Sequence, residues 1–187
     1  MRVIAGDFKG RRLATPTWDG LRPTSDKLRE TLFNVVAARV PGARVLDGYA
    51  GTGAIGIEAL SRGAAHVTFV DCDVRALKLI DQNLKLCGVS DRYAIIRARL
   101  GVGETQDDPA PATFDLAVLD PPYDDPDLAA AVAAGEPFIA PGGLLVLEHA
   151  RRRPAPESAG ALSRIRDVRS GDSALAFYSS TPWAKTA

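Results

Sequence analysis

The fold class is decided by one stretch, Asp47-Gly48-Tyr49-Ala50-Gly51-Thr52-Gly53-Ala54-Ile55-Gly56. It lies between an apolar strand predicted around residues 44–49 and a helix predicted over residues 54–62. Glycines at such a junction let the backbone approach a ligand closely at the N-terminus of a helix. The literal G-x-G-x-x-G from Gly51 to Gly56 also fits dinucleotide-binding folds, and a tight turn without a ligand uses the same residues. The glycines alone therefore leave the ligand open.

Two carboxylates narrow the choice of ligand. Asp47 comes at the end of the first strand, where it suits a cationic amino group and would repel a pyrophosphate. Asp71 closes the next predicted strand, where a carboxylate can accept hydrogen bonds from both hydroxyls of a ribose. Asp71 thus indicates a nucleoside, and Asp47 favours an aminoacyl end over a diphosphate.

Strands and helices alternate along the rest of the chain. Near-continuous apolar strands separated by helices predict an α/β protein with a parallel sheet that is covered on both faces. A hairpin within residues 1–17 and a helix capped by Thr24 or Ser25 precede this sheet. A terminal hairpin predicts antiparallel strands at one edge. The predicted strands are 66–70, 93–97, 114–119, 144–147, 165–168 and 174–178, with helices at 74–87 and 127–134 and loops at 101–113 and 151–160.

The most informative motif is Asp120-Pro121-Pro122-Tyr123, at the end of the strand predicted at 114–119. In a doubly wound sheet this position shares an edge with the glycine stretch. The exocyclic amine of a base is a poor nucleophile because its lone pair is delocalised into the ring. Asp120 and a proline-flanked carbonyl can accept its two N–H groups, and Tyr123 can stack on a base swung out of its helix. The motif predicts methyl transfer to such an amine by placement for in-line attack, although it also suits a plain strand-ending turn.

Composition bounds the compartment and the partners. The 187 residues are 46% hydrophobic and 25% charged, which suits one soluble domain. No apolar run approaches the roughly 18 residues that span a bilayer, and the N-terminus has no signal-peptide core, so we expect a cytoplasmic protein without a membrane partner. Cys72, Cys87, His66 and His149 form no metal-ligand pattern, and no metal is expected.

Charge is distributed unevenly although the net charge is zero. Residues 1–40 contain eight Lys/Arg against four Asp/Glu, residues 101–150 contain none against ten, and residues 151–187 contain seven against three. This asymmetry predicts a basic surface on one part of the fold and an acidic surface elsewhere, with a mixed solvated surface as the alternative.

Four longer stretches carry a family resemblance. The stretches are Arg2-Val3-Ile4-Ala5-Gly6 with Gly10-Arg11-Arg12-Leu13, Arg22-Pro23-Thr24-Ser25-Asp26 with Arg29-Glu30-Thr31-Leu32-Phe33-Asn34, Leu46-Asp47 through Glu58-Ala59-Leu60-Ser61-Arg62-Gly63-Ala64, and Asp120 to Tyr123. Together they resemble the RsmD-type small-subunit rRNA guanine-N2 methyltransferases over about residues 2–149. The resemblance implies the Rossmann-like fold of class I methyltransferases, with a mostly parallel seven-stranded sheet, an antiparallel C-terminal edge, an RNA-facing extension at 1–40 and a methyltransferase domain at 41–187.

The resemblance also implies a cofactor, S-adenosylmethionine, and a partner, 16S rRNA or the assembling small ribosomal subunit. We expect the enzyme to be a monomer. Arg99 departs from the family pattern because it cannot accept a hydrogen bond from the adenine amino group, so either a backbone group reads the adenine or cofactor affinity is reduced. The implied cofactor-binding residues are Asp47, Tyr49, Ala50, Gly51, Thr52, Gly53, Asp71, Cys72, Arg99 and Leu100. The implied target-binding residues are Asp120, Pro121, Pro122 and Tyr123. The implied RNA-binding residues are Arg2, Lys9, Arg11, Arg12, Arg22 and Arg29.

Three other functions stay open beside the guanine-N2 methyltransferase. A different amine methyltransferase, acting on DNA adenine, another RNA or a protein glutamine, would use the same Asp-Pro-Pro-Tyr geometry. A nicotinamide oxidoreductase would use the G-x-G-x-x-G string. A non-catalytic RNA-binding assembly factor would explain Arg99.

Overall fold

The computed structural model describes residues 1–18, 24–101, 113–122 and 125–181, and these form one mixed sheet with helices on both faces. Among the described residues, no helix combines the length and apolar character needed to cross a membrane. The helices are α1 (Asp26–Val35), α2 (Ala54–Ser61), α3 (Val74–Leu86) and α4 (Leu128–Gly135), with short 3₁₀ turns at Ala37–Arg39 and Glu136–Phe138. The strands are β1 (Arg44–Gly48), β2 (His66–Asp71), β3 (Tyr93–Arg97), β4 (Phe114–Leu119), β5 (Ile139–Ala150), β6 (Ser158–Ala159), β7 (Leu162–Ser170) and β8 (Ser173–Ser179).

The sheet has the order β3-β2-β1-β4-β5-β8-β7-β6. Strands β1 to β5 are parallel, whereas β8, β7 and β6 are antiparallel to their neighbours. The predicted fold class and its antiparallel edge are therefore confirmed. Two details differ from the sequence prediction. Strand β5 begins at Ile139 rather than Leu144, and β6 adds an eighth strand inside the predicted loop 151–160, because Ser158 and Ala159 pair with β7 around Gly160 at φ 58°.

Alternating side chains divide the core into two layers. Val45, Val67 and Phe69 pack on one face of the sheet beneath α1, α2 and α3, whereas Leu46 and Leu119 pack on the other face beneath α4. This alternation follows from the two-residue period of a strand. It also places Asp47 and Asp120 on the face that carries the first three helices, because each lies one residue from a side chain of the opposite layer.

The N-terminal hairpin is docked on α2 by buried polar groups. An antiparallel bridge between Arg2 and Arg12 closes the hairpin. The Glu58 carboxylate, which is fully buried in α2, accepts hydrogen bonds from the backbone N–H groups of Ile4 at 2.8 Å and Ala5 at 3.0 Å. A buried carboxylate needs such donors, since burying an unpaired charge is costly. The hairpin and the helix therefore depend on each other.

Arg29 requires a correction to the sequence prediction. Its side chain has no exposed surface, donates hydrogen bonds to the Arg2 carbonyl at 2.7 Å and to Asp26 Oδ1 at 2.6 Å, and lies 3.5 Å from Glu58 Oε2. The prediction that it contacts RNA phosphate is wrong because this guanidinium is consumed inside the protein. Its spacing relative to Leu32 and Phe33 places it on the buried face of α1, which is the pattern that could have revealed it.

Candidate active site

The carboxyl ends of β1, β2 and β4 meet at one edge of the sheet. The register pairs Gly48 of β1 with Val70 of β2 on one side and with Leu119 of β4 on the other. Just beyond the register, the Asp120 N–H donates to the Gly48 carbonyl at 3.3 Å. The strand order reverses at β1 and β4, and open α/β sheets bind ligands at such a switch point. The structure thus brings the Asp-Pro-Pro turn next to the glycine stretch.

The glycine stretch is fixed by the two carboxylates that flank it in space. Asp47 Oδ2 accepts a hydrogen bond from the Gly56 N–H at 2.8 Å, which ties the end of β1 to the first turn of α2. Asp71 Oδ2 accepts from the Gly51 N–H at 2.9 Å. Gly53 takes φ 73° at the N-cap of α2, and a Cβ atom at Gly56 would lie 2.3 Å from the Phe69 ring. These two glycines therefore allow the turn and the close packing of α2 on β2.

A cavity of about 390 Å³ opens beside this edge. Six of its lining residues were predicted from the sequence, and they come from the ends of β1, β2, β3 and β4. Four others come from the segment that leads into α4, and the sequence analysis missed them because nothing in an Ala-rich helix and its acidic approach marks a binding wall. The predicted residues are Tyr49, Asp71, Cys72, Arg99, Leu100 and Pro122; the others are Asp125, Asp127, Ala130 and Ala131 at α4, and Val70, Ala98 and Gly101 beside the predicted residues.

The residues around this cavity fit a nucleoside. Its volume lies in the range of small-molecule sites. Each oxygen of the Asp71 carboxylate accepts one backbone N–H, from Gly51 and from Asp73, and an ionised carboxyl oxygen can accept a second hydrogen bond from a ribose hydroxyl. Leu100 and Val70 supply apolar walls for a flat ring, and Arg99 is exposed. The donor and acceptor set suits the sugar and one face of a base.

Asp47 lies outside the cavity wall. Its side chain is 1% exposed, and burial is the main cause that raises its pKa well above the ordinary aspartate value. The hydrogen bond from Gly56 lowers the pKa, whereas the nearby charges of Asp120 and Asp71 raise it further. These couplings place the three carboxylates within electrostatic reach of one another. A cationic ligand would offset their repulsion.

Four other predicted cofactor residues are also absent from the cavity wall. The loop residues Ala50, Gly51, Thr52 and Gly53 are all buried. The side chain of Tyr49 is different, because it lines the cavity and its backbone adopts φ 58°, an uncommon value for a residue with a Cβ atom. Burial raises the pKa of the Tyr49 hydroxyl, with a smaller contribution from Asp125. Tyr49 is therefore the point where β1 turns toward the cavity.

Asp120 is held from the side of α1. The Thr24 hydroxyl donates to Asp120 Oδ2 at 2.9 Å. The sequence predicts Thr24 or Ser25 as the cap of α1, and the cap is Ser25, whose hydroxyl accepts a hydrogen bond from the Leu28 N–H at 3.2 Å. Pro121 is buried and Pro122 lines the cavity. Two predicted site residues, Tyr123 and Arg22, lie outside the described residues.

The hairpin carries four of the predicted RNA-binding residues, and its tip is bound at the end of α2 opposite the glycine stretch. Arg2, Lys9, Arg11 and Arg12 are exposed. The Arg11 guanidinium nevertheless hydrogen-bonds the carbonyl of Cys87 at the C-terminal end of α3 and lies 5.3 Å over the Phe8 ring. The tip of the hairpin also contacts the last residue of α2 through the Asp7 N–H. Because α2 begins at the glycine stretch and rises 1.5 Å per residue, the hairpin tip lies about 12 Å away along this helix.

Comparison with known proteins agrees with this geometry. A family model described as Conserved hypothetical protein 95 matches residues 1–179. The protein YlbH of Bacillus subtilis, provisionally named an rRNA methyltransferase, is 35% identical over 95% of this chain and 98% of its own length. The Haemophilus influenzae protein named Ribosomal RNA small subunit methyltransferase D is 32% identical over 82% of this chain and 81% of its own.

A solved structure shows the same architecture. The Escherichia coli protein yhhF, provisionally described as a methyltransferase, superposes with a TM-score of 0.80 at 30% identity. The superposition covers 95% of this chain and 96% of that one. Nearly the whole length of each chain is therefore included in the match.

Proposed function

We infer the function from one premise, that this chain belongs to the family described as Conserved hypothetical protein 95. By family and fold the protein is a class I methyltransferase. We propose that it transfers a methyl group from S-adenosylmethionine to the exocyclic N2 amine of a guanine in small-subunit (16S) ribosomal RNA. Its relatives support the rRNA part of this proposal, because the Haemophilus influenzae protein carries that substrate in its name.

One observation carries the proposal at the level of chemistry. The 3.3 Å contact between the Asp120 N–H and the Gly48 carbonyl puts the Asp-Pro-Pro turn beside the strand end that leads into the glycine stretch. Pro122 then forms part of the same cavity wall as Asp71. A nucleoside in the cavity and an amine at Asp120 would therefore be neighbours. Methyl transfer needs little else than this proximity and alignment.

In this proposal, different residues around the cavity bind different parts of the cofactor. Asp71 binds the ribose hydroxyls, and Leu100 and Cys72 pack on the adenine, with a backbone group near Arg99 reading the adenine amine. Asp47 and the buried glycine stretch face the cationic methionyl end, whose positive charge would relieve the repulsion among the three carboxylates. When bound, S-adenosylmethionine supplies a sulfonium methyl group that is already activated toward a nucleophile.

Asp120 is the proposed partner of the target amine. Its carboxylate accepts an N–H of the amine, which concentrates electron density on the nitrogen and orients the lone pair. The Thr24 hydroxyl fixes the plane of this carboxylate through its 2.9 Å hydrogen bond to Oδ2, so Thr24 is a positioning residue. The nitrogen becomes acidic as its new C–N bond forms, and its surplus proton passes to Asp120 or to water. Pro121 and Pro122 stiffen the turn, since proline fixes φ.

RNA binding is the third part of the proposal. Three hairpin residues are exposed and can contact phosphates: Arg2, Lys9 and Arg12. Arg11 is also exposed, but one of its N–H groups donates to the carbonyl of Cys87. Counterion release would make such binding weaken with salt. We expect a cytoplasmic monomer that meets its substrate during assembly of the small subunit.

Methyl transfer from labelled S-adenosylmethionine tests the proposal directly. The acceptors are naked 16S rRNA, assembled small subunits, double-stranded DNA and total protein, each with the Asp120→Ala variant as the control. We expect label in rRNA or in small subunits, and digestion with mass mapping should place it on guanine N2. Label on DNA or protein alone, or on a different rRNA atom, would refute the guanine-N2 assignment.

A further inference from the structure

The antiparallel end of the sheet carries a second basic surface, which we name the C-terminal rim and define as Arg151, Arg152 and Arg169. Register places it at the edge where the active site lies. Ala150 of β5 pairs with Ser173 of β8, and Ser173 pairs with Ser170 of β7. Further along the same edge, Leu147 of β5 pairs with Leu119 of β4, the residue that precedes Asp120.

The rim arginines are available to a partner. All three side chains are exposed, and within the described part of the chain none of them forms a salt bridge. Two neighbouring arginines behave differently. Arg164 pairs with Glu157 and Asp167, and Arg153 hydrogen-bonds the Asp125 carbonyl. The acidic groups nearby are these two partners of Arg164 and the exposed Asp172, so the segment 151–172 has six arginines against three carboxylates.

The backbone that presents the rim is fixed by hydrogen bonds. The Arg151 N–H donates to the Asp172 carbonyl at 2.8 Å, and the Arg153 N–H donates to the Ala150 carbonyl at 2.9 Å. The buried His149 ring adds a 2.7 Å hydrogen bond between Nδ1 and the Arg153 carbonyl. A surface that is ordered before binding loses less conformational entropy when the partner arrives.

The position of the rim indicates which part of a bound RNA it contacts. Neighbouring strands are about 4.8 Å apart, so β5 to β7 place the rim roughly 5–15 Å from the end of β4. The hairpin tip is instead bound at the far ends of α2 and α3. A nucleotide whose base enters the site at Asp120 brings its own flanking phosphates to the edge of the sheet, where the rim is the nearest described group of unpaired cations on the antiparallel side. Arginine binds phosphate through paired N–H donors.

We propose that the C-terminal rim binds the RNA phosphates next to the target base, as a second basic surface besides the hairpin that is docked on α2. This inference rests on the proposed function, because it assumes an RNA substrate. It adds a second contact surface that holds the target nucleotide against the catalytic edge. RNA binding should therefore depend on two separate basic surfaces of the protein, which contact the same strand or helix of RNA.

The test compares the triple variant Arg151→Gln/Arg152→Gln/Arg169→Gln with Arg44→Gln, which removes an exposed charge at the amino end of β1, the opposite edge. Binding of a naked 16S rRNA transcript is titrated across a series of salt concentrations. Three lost phosphate contacts should lower the slope of log K against log salt by about 2–3 and weaken binding roughly 10- to 100-fold. The Arg44→Gln variant should match wild type in both quantities. Calorimetry with S-adenosylmethionine should give the same Kd for all three proteins.

The outcomes separate this inference from the proposed function. Wild-type protein that methylates rRNA, together with a triple variant of unchanged affinity and salt slope, would overturn the rim proposal alone. Wild-type protein that neither binds nor methylates rRNA would overturn the proposed function itself. If the triple variant lost affinity for assembled subunits but not for naked rRNA, the rim would contact a ribosomal protein, and the phosphate assignment would be wrong.

Discussion

The catalytic edge and the hairpin anchor use the same kinds of charged residue in opposite ways. At the catalytic edge, Asp47, Asp71 and Asp120 lie near one another, and within the described part of the chain neither Asp47 nor Asp71 forms a salt bridge. In the hairpin anchor, which we define as Arg29, Glu58, Ser61 and Asn83, polar groups are matched within the protein. The comparison teaches that a charged motif indicates ligand binding only where the folded chain leaves part of its charge uncompensated.

In the anchor, the Glu58 carboxylate and the Ser61 hydroxyl are matched within the protein, whereas Arg29 Nε and Nη1 have no hydrogen-bond acceptor among the described residues. Besides the two hairpin amides, the Glu58 carboxylate accepts from Arg62 Nε at 2.8 Å, and it lies 3.5 Å from the Arg29 guanidinium. The Ser61 hydroxyl accepts from the Phe8 N–H at 2.9 Å and donates to the Ala5 carbonyl at 2.5 Å. We therefore expect substitutions in the anchor to change stability and substitutions at the edge to change chemistry.

The largest effect is expected from Asp120→Ala. Loss of the acceptor for the target amine should reduce turnover about 1,000-fold, near the middle of the range for a positioned acid–base group. Cofactor affinity should change little, whereas Asp71→Ala should weaken the cofactor and leave single-turnover chemistry at saturation nearly intact. Labelled methyl transfer and calorimetry measure the two quantities. The comparison breaks if Asp120→Ala mainly weakens the cofactor and Asp71→Ala mainly slows the chemistry.

The next largest effect is expected from Glu58→Ala in the anchor. Removal of one partner from a buried ion pair costs about 3–5 kcal/mol of unfolding free energy. Here Arg29 would stay buried with only Asp26 as a counter-charge, and the N–H groups of Ile4 and Ala5 would lose their acceptor. Urea unfolding at neutral pH measures this cost. The exposed pair of Lys85 and Asp81 offers a matched control, since Lys85→Ala should cost far less than Glu58→Ala. Equal costs for the two variants would show that the anchor does not stabilise the fold.

A smaller effect is expected from Thr24→Val, at the point where the N-terminal extension touches the edge. The isosteric side chain cannot donate to Asp120, and we expect turnover to fall about tenfold, equivalent to about 1.4 kcal/mol of transition-state stabilisation. Cofactor Kd and the urea midpoint should stay near the wild-type values. Thr24→Ser restores a hydroxyl and should recover most of the activity. Failure of serine to rescue would assign Thr24 to packing instead.

The smallest effect is expected from Asp47→Asn, and its sign is opposite to that of Glu58→Ala. Burial raises the pKa of Asp47, so the folded protein holds this proton more tightly than the unfolded chain, whose aspartate pKa is about 3.9. Stability from this group therefore falls as pH rises from about 4 through the raised native pKa. The asparagine variant should gain stability relative to wild type as pH rises, so that it is the more stable protein at pH 8 and has a flatter pH profile.

Urea unfolding at pH 5 and pH 8 checks the Asp47 prediction. The same variant should bind S-adenosylmethionine more weakly than wild type, because it lacks the charge that faces the cationic end of the cofactor. An Asp47→Asn protein that is less stable than wild type at pH 8 would place Asp47 in the same class as Glu58 and would end the distinction between the two regions.

Regular patterns made most of the fold predictable from the sequence. The strand and helix positions from Arg44 onward follow from apolar periodicity, and the glycine stretch and the Asp-Pro-Pro turn mark the edge where parallel strands end. The eighth strand was not predictable, because Ser158 and Ala159 have no period of their own and become a strand only by pairing with β7. Pairing between distant segments arises only in the folded chain, and a two-residue strand is too short to show a sequence pattern.

Site residues were predictable where a motif carries them and not where a tertiary contact does. Asp71 and Pro122 line the cavity as expected, whereas Asp125 and Ala131 reach it only because α4 packs across the other face of the sheet. The Thr24 contact joins residues 96 apart in sequence, so spacing could not reveal it. The prediction for Arg29 followed from its charge, whereas its position on the apolar face of α1 determines its contacts.

Asn83 connects the beginning of the chain to the glycine stretch. This fully buried amide accepts from the Ala14 N–H at 2.7 Å and donates to the carbonyls of Ala14 at 3.2 Å and Thr52 at 2.9 Å. One side chain thereby holds the segment that leaves the hairpin and the loop that opens α2. For anyone who builds chimeras from this scaffold, the first 40 residues are consequently not an interchangeable module. A graft that replaces them must place a backbone N–H and carbonyl where Asn83 can bind them, as it binds those of Ala14. Otherwise the glycine stretch loses the support of that side chain.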